Sequence, residues 1–439
     1  MSALVYRITY LLQMLLDHVP IGTNRGLLQL LLVLLSGRLL NSRGALFPAL
    51  SDLGLDAPEV RRAEAALTYG RFDTNELVTV WQKMVLAEGR FHPHEFEGYR
   101  PVACDLTGFF RPQLQNLIGK HFHAASDRAL PAVSLGMVAA VGSVGTKRLA
   151  LARVLLTPQE GEKSEKELRL RTLRRAAEGL AAQEVLIVDA EFEVSELKQA
   201  GVARFVARAA ANFTAPRNYP PAYKGHGPHP QYGETVRPLE RAYRDKVLAS
   251  TPPDAVARWK VGKRHVKAFL WEDLVGSEQK PGETCVRCVA IFDPKYKHPL
   301  VLVTNLAITA YALWCLYTDR WPIEQLPLAA KQMLGAARSF VFGQQSRLRL
   351  PVMGLLAGNL LSYVAATEQA LPTGFWDRCA EPTCGRVRRV LSGVQFKDLP
   401  VLCARFRKKA SVTGHLRTGV QGHRRQRAQP TVMECLKAA

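Results

Sequence analysis

The segment YTDRWPIEQLPLAAKQ, Tyr317 to Gln332, places a phenol, two cations and a carboxylate at helical spacing. At about 100° per residue, Tyr317, Arg320, Glu324 and Lys331 fall within about 60° of one another, so a continuous helix carries all four on one face. Pro322 suits the first turn of a helix, whereas Pro327 removes an interior hydrogen bond and bends the axis, which makes the shared face approximate. Alone, Arg320 and Glu324 at i, i+4 amount to a surface pair worth about 0.3 to 0.5 kcal/mol. Two upstream carboxylates give the segment more weight. Asp105 follows the apolar run PVAC and Asp189 follows VLIV, and a charge there is costly unless it sits at a strand end or faces a cation. Either aspartate by itself reads as a cap or turn residue. Two on neighbouring strands with a helical glutamate form a hard oxygen site suited to Mg²⁺. A pair of such ions activates a water or a 3′-hydroxyl and stabilises the leaving oxygen of a phosphodiester.

The elements that must position these groups are legible as patterns. Residues 1–98 read as helices, with apolar positions at helical spacing in ALVYRITYLLQMLLDHV and LLQLLLVLLSGRLL. Asp56 and Thr74 look like helix starts. Arg38, Arg43, Arg61, Arg62 and Arg71 lie along this region, which fits either a helix-turn-helix DNA-binding unit or a plain bundle with solvated basic faces. From residue 99 to 210 the order is three strands (PVACDLTGFF, AVSLGMVAAVG, RLALARVLL), an amphipathic helix (EKSEKELRLRTLRRAAEGLAAQ), a buried strand (EVLIVDAEF), a short helix and a last strand (ARFVARA). This is the order expected of a ribonuclease H-like mixed α/β sheet. Residues 211–306 read as a β-rich insertion opening on a long loop, in which YKGHGPHPQYG fits either a linker or a threaded nucleic-acid strand with stacking platforms. Helical sequence resumes over 307–370, and 371–439 form a basic C-terminal region.

The charge narrows the partner. Fifty-nine Lys and Arg against 38 Asp and Glu leave a formal charge of +21, which suits a polyanion: nucleic acid first, an anionic membrane surface second. The most apolar run, Leu27 to Leu35, is far shorter than the roughly 20 residues a bilayer span needs, and the opening residues carry no secretory pattern. Cys403 to Gln429 holds eight Lys and Arg and no carboxylate, a tail that adds sequence-independent phosphate attraction. Eight cysteines are too sparse for a disulfide scaffold. Cys285 and Cys288 form one close pair, and Cys379 with Cys384 offers a loose second for zinc; reduced thiols in a reducing cytoplasm are the plainer reading.

The spacing Y-(2)-R-(3)-E-(6)-K from Tyr317 to Lys331 resembles the signature of bacterial insertion-sequence DDE transposases of the IS-four group. CDLTGFF resembles their first-aspartate strand, LIVDAEF the second-aspartate strand, and LVLVTNL the strand before the glutamate helix, so the likeness spans roughly residues 100 to 365. The resemblance implies that Asp105, Asp189 and Glu324 bind two catalytic Mg²⁺ ions, with Mn²⁺ able to substitute. It also implies that Tyr317, Arg320 and Lys331 hold phosphates of the transposon end, with Thr107 supporting Asp105. Relatives that cut through a DNA hairpin stack a flipped base on a Trp ahead of the glutamate helix. Leu300 stands there in this chain, leaving Tyr296, His298 or Trp321 as candidate substitutes. The implied protein is a cut-and-paste transposase acting on double-stranded terminal repeats and target DNA. It would work as a homodimer in a synaptic complex, in the cytoplasm at the nucleoid and without a membrane. A nuclease of the same fold without strand transfer, and an inactive DNA-binding descendant, remain as rivals.

Overall fold

The two apolar runs that precede Asp105 and Asp189 become adjacent parallel strands near the middle of one large mixed sheet. The computed structural model describes residues 3–19, 26–114, 117, 119–223, 225–244, 246–276, 286–370, 372, 374–381 and 383–399. The first helices are α1 (Ala3–Asp17), α2 (Gly26–Leu35), α3 (Arg38–Asn41), α4 (Leu46–Asp52), α5 (Ala57–Tyr69) and α6 (Thr74–Ala87). Then come β1 (Phe91–Pro93), β2 (Arg100–Phe110), β3 (Gly119–His123), β4 (Arg128–Val144), β5 (Lys147–Leu156), α7 (Glu165–Gly179), β6 (Glu184–Val188), α8 (Val194–Gln199) and β7 (Phe205–Arg208). Small ribbons follow as β8 (Ala215–Pro216) with β9 (Thr235–Val236), and β10 (Arg241–Tyr243) with β11 (Lys246–Leu248). The remaining elements are β12 (Ala255–Val261), β13 (Arg264–Leu274), β14 (Val286–Phe292), β15 (Leu300–Thr304), α9 (Ala310–Thr318), α10 (Gln325–Leu328), α11 (Gln344–Thr367) and α12 (Cys384–Ser392).

The sheet runs β1-β4-β2-β6-β7-β15-β14-β13-β12, with β3 and β5 also on β4. β2, β6 and β7 are mutually parallel and the other pairings antiparallel. The fold is therefore mixed α/β, and the five strands β5-β4-β2-β6-β7 sit in the order 3-2-1-4-5 by their place in the chain. Strand side chains alternate between faces. On one face, Ala103, Phe109, Leu135 and Leu151 pack under α1, α2, α5, α6 and α11 in a single apolar cluster, and further along Ile187, Val206 and Leu302 pack under α9. On the other, Val102, Leu186 and Ala207 pack with Leu168 and Leu173 of α7 and Leu197 of α8.

Three sequence expectations change. The N-terminal helices do not stand apart: they share their core with α11 and the sheet, and β1 pairs with β4. The cause is α2, buried along all ten residues, which needs apolar neighbours all around it. Arg38 is buried too, paired with Asp52 and donating to the Val394 carbonyl, so it is removed from any basic DNA-facing row. The strands of the expected insertion, β12 to β15, prolong the main sheet instead of forming a separate unit. The Leu27 run is a short buried helix, as expected; among the described residues α11 is long and apolar enough to cross a membrane, and most of it is buried inside the protein. The basic tail and Cys285 lie outside the described residues, Cys288 is buried on β14, and Cys379 is exposed. In the long loop, Tyr223 stacks on His229 with ring centroids 3.8 Å apart.

Asn359 ties α11 to the sheet edge. Its Oδ1 accepts from Trp81 Nε1 (2.9 Å) and the Ala152 amide (3.2 Å), and its Nδ2 donates to the Ala150 carbonyl (2.6 Å). Among the described residues β5 pairs only with β4, so this amide satisfies edge groups that no described strand reaches. Asn359→Leu leaves three buried polar groups without partners, each worth about 1 to 3 kcal/mol. The variant is expected to lose at least about 3 kcal/mol of unfolding free energy in urea, and a loss under 1 kcal/mol, on the order of a single ordinary hydrogen bond, would refute the role given to this amide.

Candidate active site

The β2–β6 register pairs Ala103 with Ile187. Continued two residues, it sets Asp105 beside Asp189 on the face that Ala103 and Ile187 share. Glu324 arrives on the far side of α9. The chain keeps right-handed helical dihedrals from Arg320 to Ala329 but changes pitch, through a 3₁₀ turn Trp321–Glu324, then α10, then a π turn Ala329–Met333. Pro322 is the second residue of the 3₁₀ turn, where its missing donor costs little, and Pro327 withholds its donor within α10, just before the ladder widens to the π spacing. The continuous helix expected from the sequence is thus three short pieces, which still keep Tyr317, Arg320 and Glu324 together. Gly358 of α11 lets the π turn approach closely, since a Cβ there would stand 3.1 Å from Ala329 Cβ.

Arg320 is the centre of the arrangement. It is only 7% exposed. Its Nη1 donates to Asp105 Oδ2 at 3.1 Å, and its Nη2 donates to Asp189 Oδ2 at 3.1 Å and Glu324 Oε1 at 2.7 Å. Tyr317 Oη donates to Asp189 Oδ1 at 3.2 Å, and Arg208 reaches the same oxygen at 3.4 Å. Lys331 goes elsewhere: its Nζ donates to Thr107 Oγ1 at 2.7 Å and lies 5.1 Å from the Phe109 ring centroid. Thr107 therefore holds Lys331, whereas Asp105 accepts from the Leu106 amide. The hydroxyl expected to serve Asp105 serves the lysine because strand alternation puts residues 105 and 107 on one face while the π turn brings Lys331 over 107.

Burial dominates the electrostatics. It pushes the Asp105 carboxyl up to about 6, against the downward pull of Arg320 and the Leu106 amide and with further upward push from Asp189 and Glu191. Burial also raises the Tyr317 phenol to about 12, helped by Asp189, and lowers the Lys331 ammonium to about 8. For Arg320, burial works against the charge, but Asp105, Asp189, Tyr317 and Glu324 together hold its pKa above the ordinary value. Three carboxylates from three separate elements thus surround one delocalised cation. That donor set fits a hard divalent ion, with the guanidinium standing where positive charge is required.

Several contributors were missed by sequence reasoning. Asp319, the residue before Arg320, is buried and accepts from His94 Nδ1 (2.7 Å) and from Arg148, tying the turn to β5 and to the segment after β1. Nothing in YTDRW marks this aspartate as inward, since its partners lie some 170 and 225 residues away. Beside the triad, His121, Glu165 and Glu191 bring ligand atoms within 4.8 Å of one another, and His121 Nδ1 is hydrogen-bonded to Glu165 Oε1 at 2.8 Å. A cavity of about 830 Å³ opens onto Glu324, Arg320 and Tyr317, and Tyr296, His298, Leu300 and Trp321 all line it. Trp321 is 56% exposed. Comparison of the chain with protein-family models and with curated proteins gives no match.

The raised Asp105 value has a consequence for stability. Between its ordinary value of 3.8 and about 6, the folded chain binds more proton than the unfolded one. The stability that Asp105 contributes is therefore fully present below the ordinary value and is lost as pH rises through about 6. Asp105→Asn is expected to stabilise the metal-free protein by about 1 to 3 kcal/mol at neutral pH and to have little effect near the ordinary carboxylate pKa. Urea unfolding at the two pH values checks this, and equal effects at both would contradict it.

Proposed function

We propose that the chain is a DDE transposase resembling the IS-four group, built on a ribonuclease H-like core. The observation that carries this reading is the convergence of Asp105, Asp189 and Glu324 on one cationic centre. The strand order 3-2-1-4-5, with the first aspartate on the central strand and the second at the end of its parallel neighbour, supports it.

On this reading Asp105, Asp189 and Glu324 hold two Mg²⁺, or Mn²⁺ with the same oxygen preference. Ions bound there supply Lewis-acid activation of a water or 3′-hydroxyl and stabilise the leaving oxygen. With those carboxylates shared with the ions, Arg320 would be able to offer its planar fork to a phosphate, for which bidentate geometry suits it. Tyr317 keeps its proton, since its phenol is pushed up to about 12, and acts as a hydrogen-bond donor and never as a base. Lys331, lowered to about 8 by burial, remains mostly charged at neutral pH and offers a point charge from beside Phe109. The cavity walls of Arg148, Arg208, Lys295 and Trp321 suit a DNA backbone with a base edge exposed to an aromatic. The substrates are the duplex ends of the element and a target duplex, handled by a homodimer at the nucleoid.

Glu324→Gln removes one of three charged oxygen ligands. It is expected to lower Mg²⁺-dependent nicking of the inverted repeats flanking the gene by about 10² to 10³-fold, several kcal/mol of transition-state stabilisation. Undiminished nicking would remove Glu324 from the metal site. Nicked ends that never join a plasmid target would favour a nuclease without strand transfer.

A further inference from the structure

β12 is the free edge of the sheet, joined to β13 by the two-residue turn Gly262–Lys263, where Gly262 at φ +59° takes the left-handed first position. β14 pairs with β13 no further than Lys267, so Trp259–Val261 and Arg264–Val266 continue as a two-stranded ribbon. One face of this hairpin is committed. Trp259 turns to α9, its ring 5.9 Å from Tyr311 and 6.0 Å from Trp314, on the same side of the sheet as the carboxylates.

The other face carries the opposed pairs Arg258↔Lys267 and Lys260↔His265, with Lys263 at the tip. Arg258 and Lys267 are like charges directly opposite each other, which weakens a strand pair, so packing gives no reason to place them there. Carboxylates at or near these strands, Asp254, Asp293 and Glu272, are engaged by Arg217, Arg264 and Arg287. Among the described residues, Arg258, Lys260, Lys263 and Lys267 form no ion pair. Of the aromatic residues on this face, Phe269 is covered, with Lys267 Nζ 4.4 Å over its ring, whereas Phe292, edge to face with Phe269 at 5.3 Å, stays 36% exposed.

We propose that this ribbon face binds the phosphate backbone of duplex DNA, on the side of the sheet away from the carboxylates. A two-stranded ribbon fits a major groove about 12 Å wide. A Phe269 ring lidded by a cation offers no stacking platform for single strands, which favours the duplex. The charge pattern alone carries this surface, and it stands without the catalytic reading.

The test is the salt dependence of binding to a random-sequence duplex, in chelator so that cleavage plays no part. The variant R258Q/K260Q/K263Q/K267Q is expected to lower the slope of log K against log salt by about 3 to 4, at about 0.9 per phosphate contact. The charge-keeping variant R258K/K260R/K263R/K267R is expected to keep the parent slope. Thermal unfolding of both variants verifies the fold. An unchanged slope in the neutral variant overturns the proposal, as does loss of binding to phosphatidylserine vesicles with duplex binding intact. Nicking of the terminal repeats, read separately with Mg²⁺, decides the catalytic reading whatever the outcome here.

Discussion

A single guanidinium, almost without solvent, compensates three carboxylates drawn from distant parts of the chain. A buried charge without a partner costs several kcal/mol, so Arg320 depends on its carboxylates, and Asp105, the least exposed of the three, depends on Arg320. The balance is uneven: burial still lifts Asp105 to about 6 even with Arg320 beside it. The site is therefore short of positive charge, a deficit that the Mg²⁺ proposed above would relieve. Such tension is common where a protein stores affinity for a ligand at the expense of its own stability.

The surrounding fold keeps the tension in place. Asp319 is clamped by Arg148 and His94, which fixes where α9 ends and where Arg320 begins. On the far side, α11 presents Gly354 and Gly358 to the segment that follows Glu324, and Asn359 fastens the same helix to β5. The large apolar cluster under α1, α2 and α5 backs this helix, which explains why so much helical sequence precedes the first aspartate. Short helical pieces around Pro322 and Pro327 would not hold their geometry unaided; the tertiary clamps do it.

How much of this was legible depended on whether local sequence decided the outcome. The strands around Asp105 and Asp189 and helix α7 were readable because long apolar runs and a 3.6-residue period leave few alternatives. The grouping of Tyr317, Arg320 and Glu324 was readable because their spacing survives a change from α to 3₁₀ pitch. The partner of Thr107 was not, since it depends on where a π turn lands over β2. Nor was Asp319, a charged residue turned inward by groups from β5 and the end of β1. The domain divisions were blurred for a related reason. Sequence shows where one pattern gives way to another, but not that α2 and α11 bury against the same sheet, or that β12 to β15 extend it.

The two faces of the sheet divide their charges differently, and the division follows from what each covers. On the carboxylate face, cations approach acids and are neutralised, as Arg208, Arg320 and Arg264 are by Asp189, the triad and Asp293. On the opposite face of the outer hairpin, cations meet one another across the strands and the nearby acids are already taken. A surplus of basic residues spread at random would place some of them beside free carboxylates. Here four of the basic residues gather at a free edge, in a ribbon whose inner face packs on α9 through Trp259. The ribbon is thereby rigid enough to present its charges in register, and the +21 of the whole chain gains a local address.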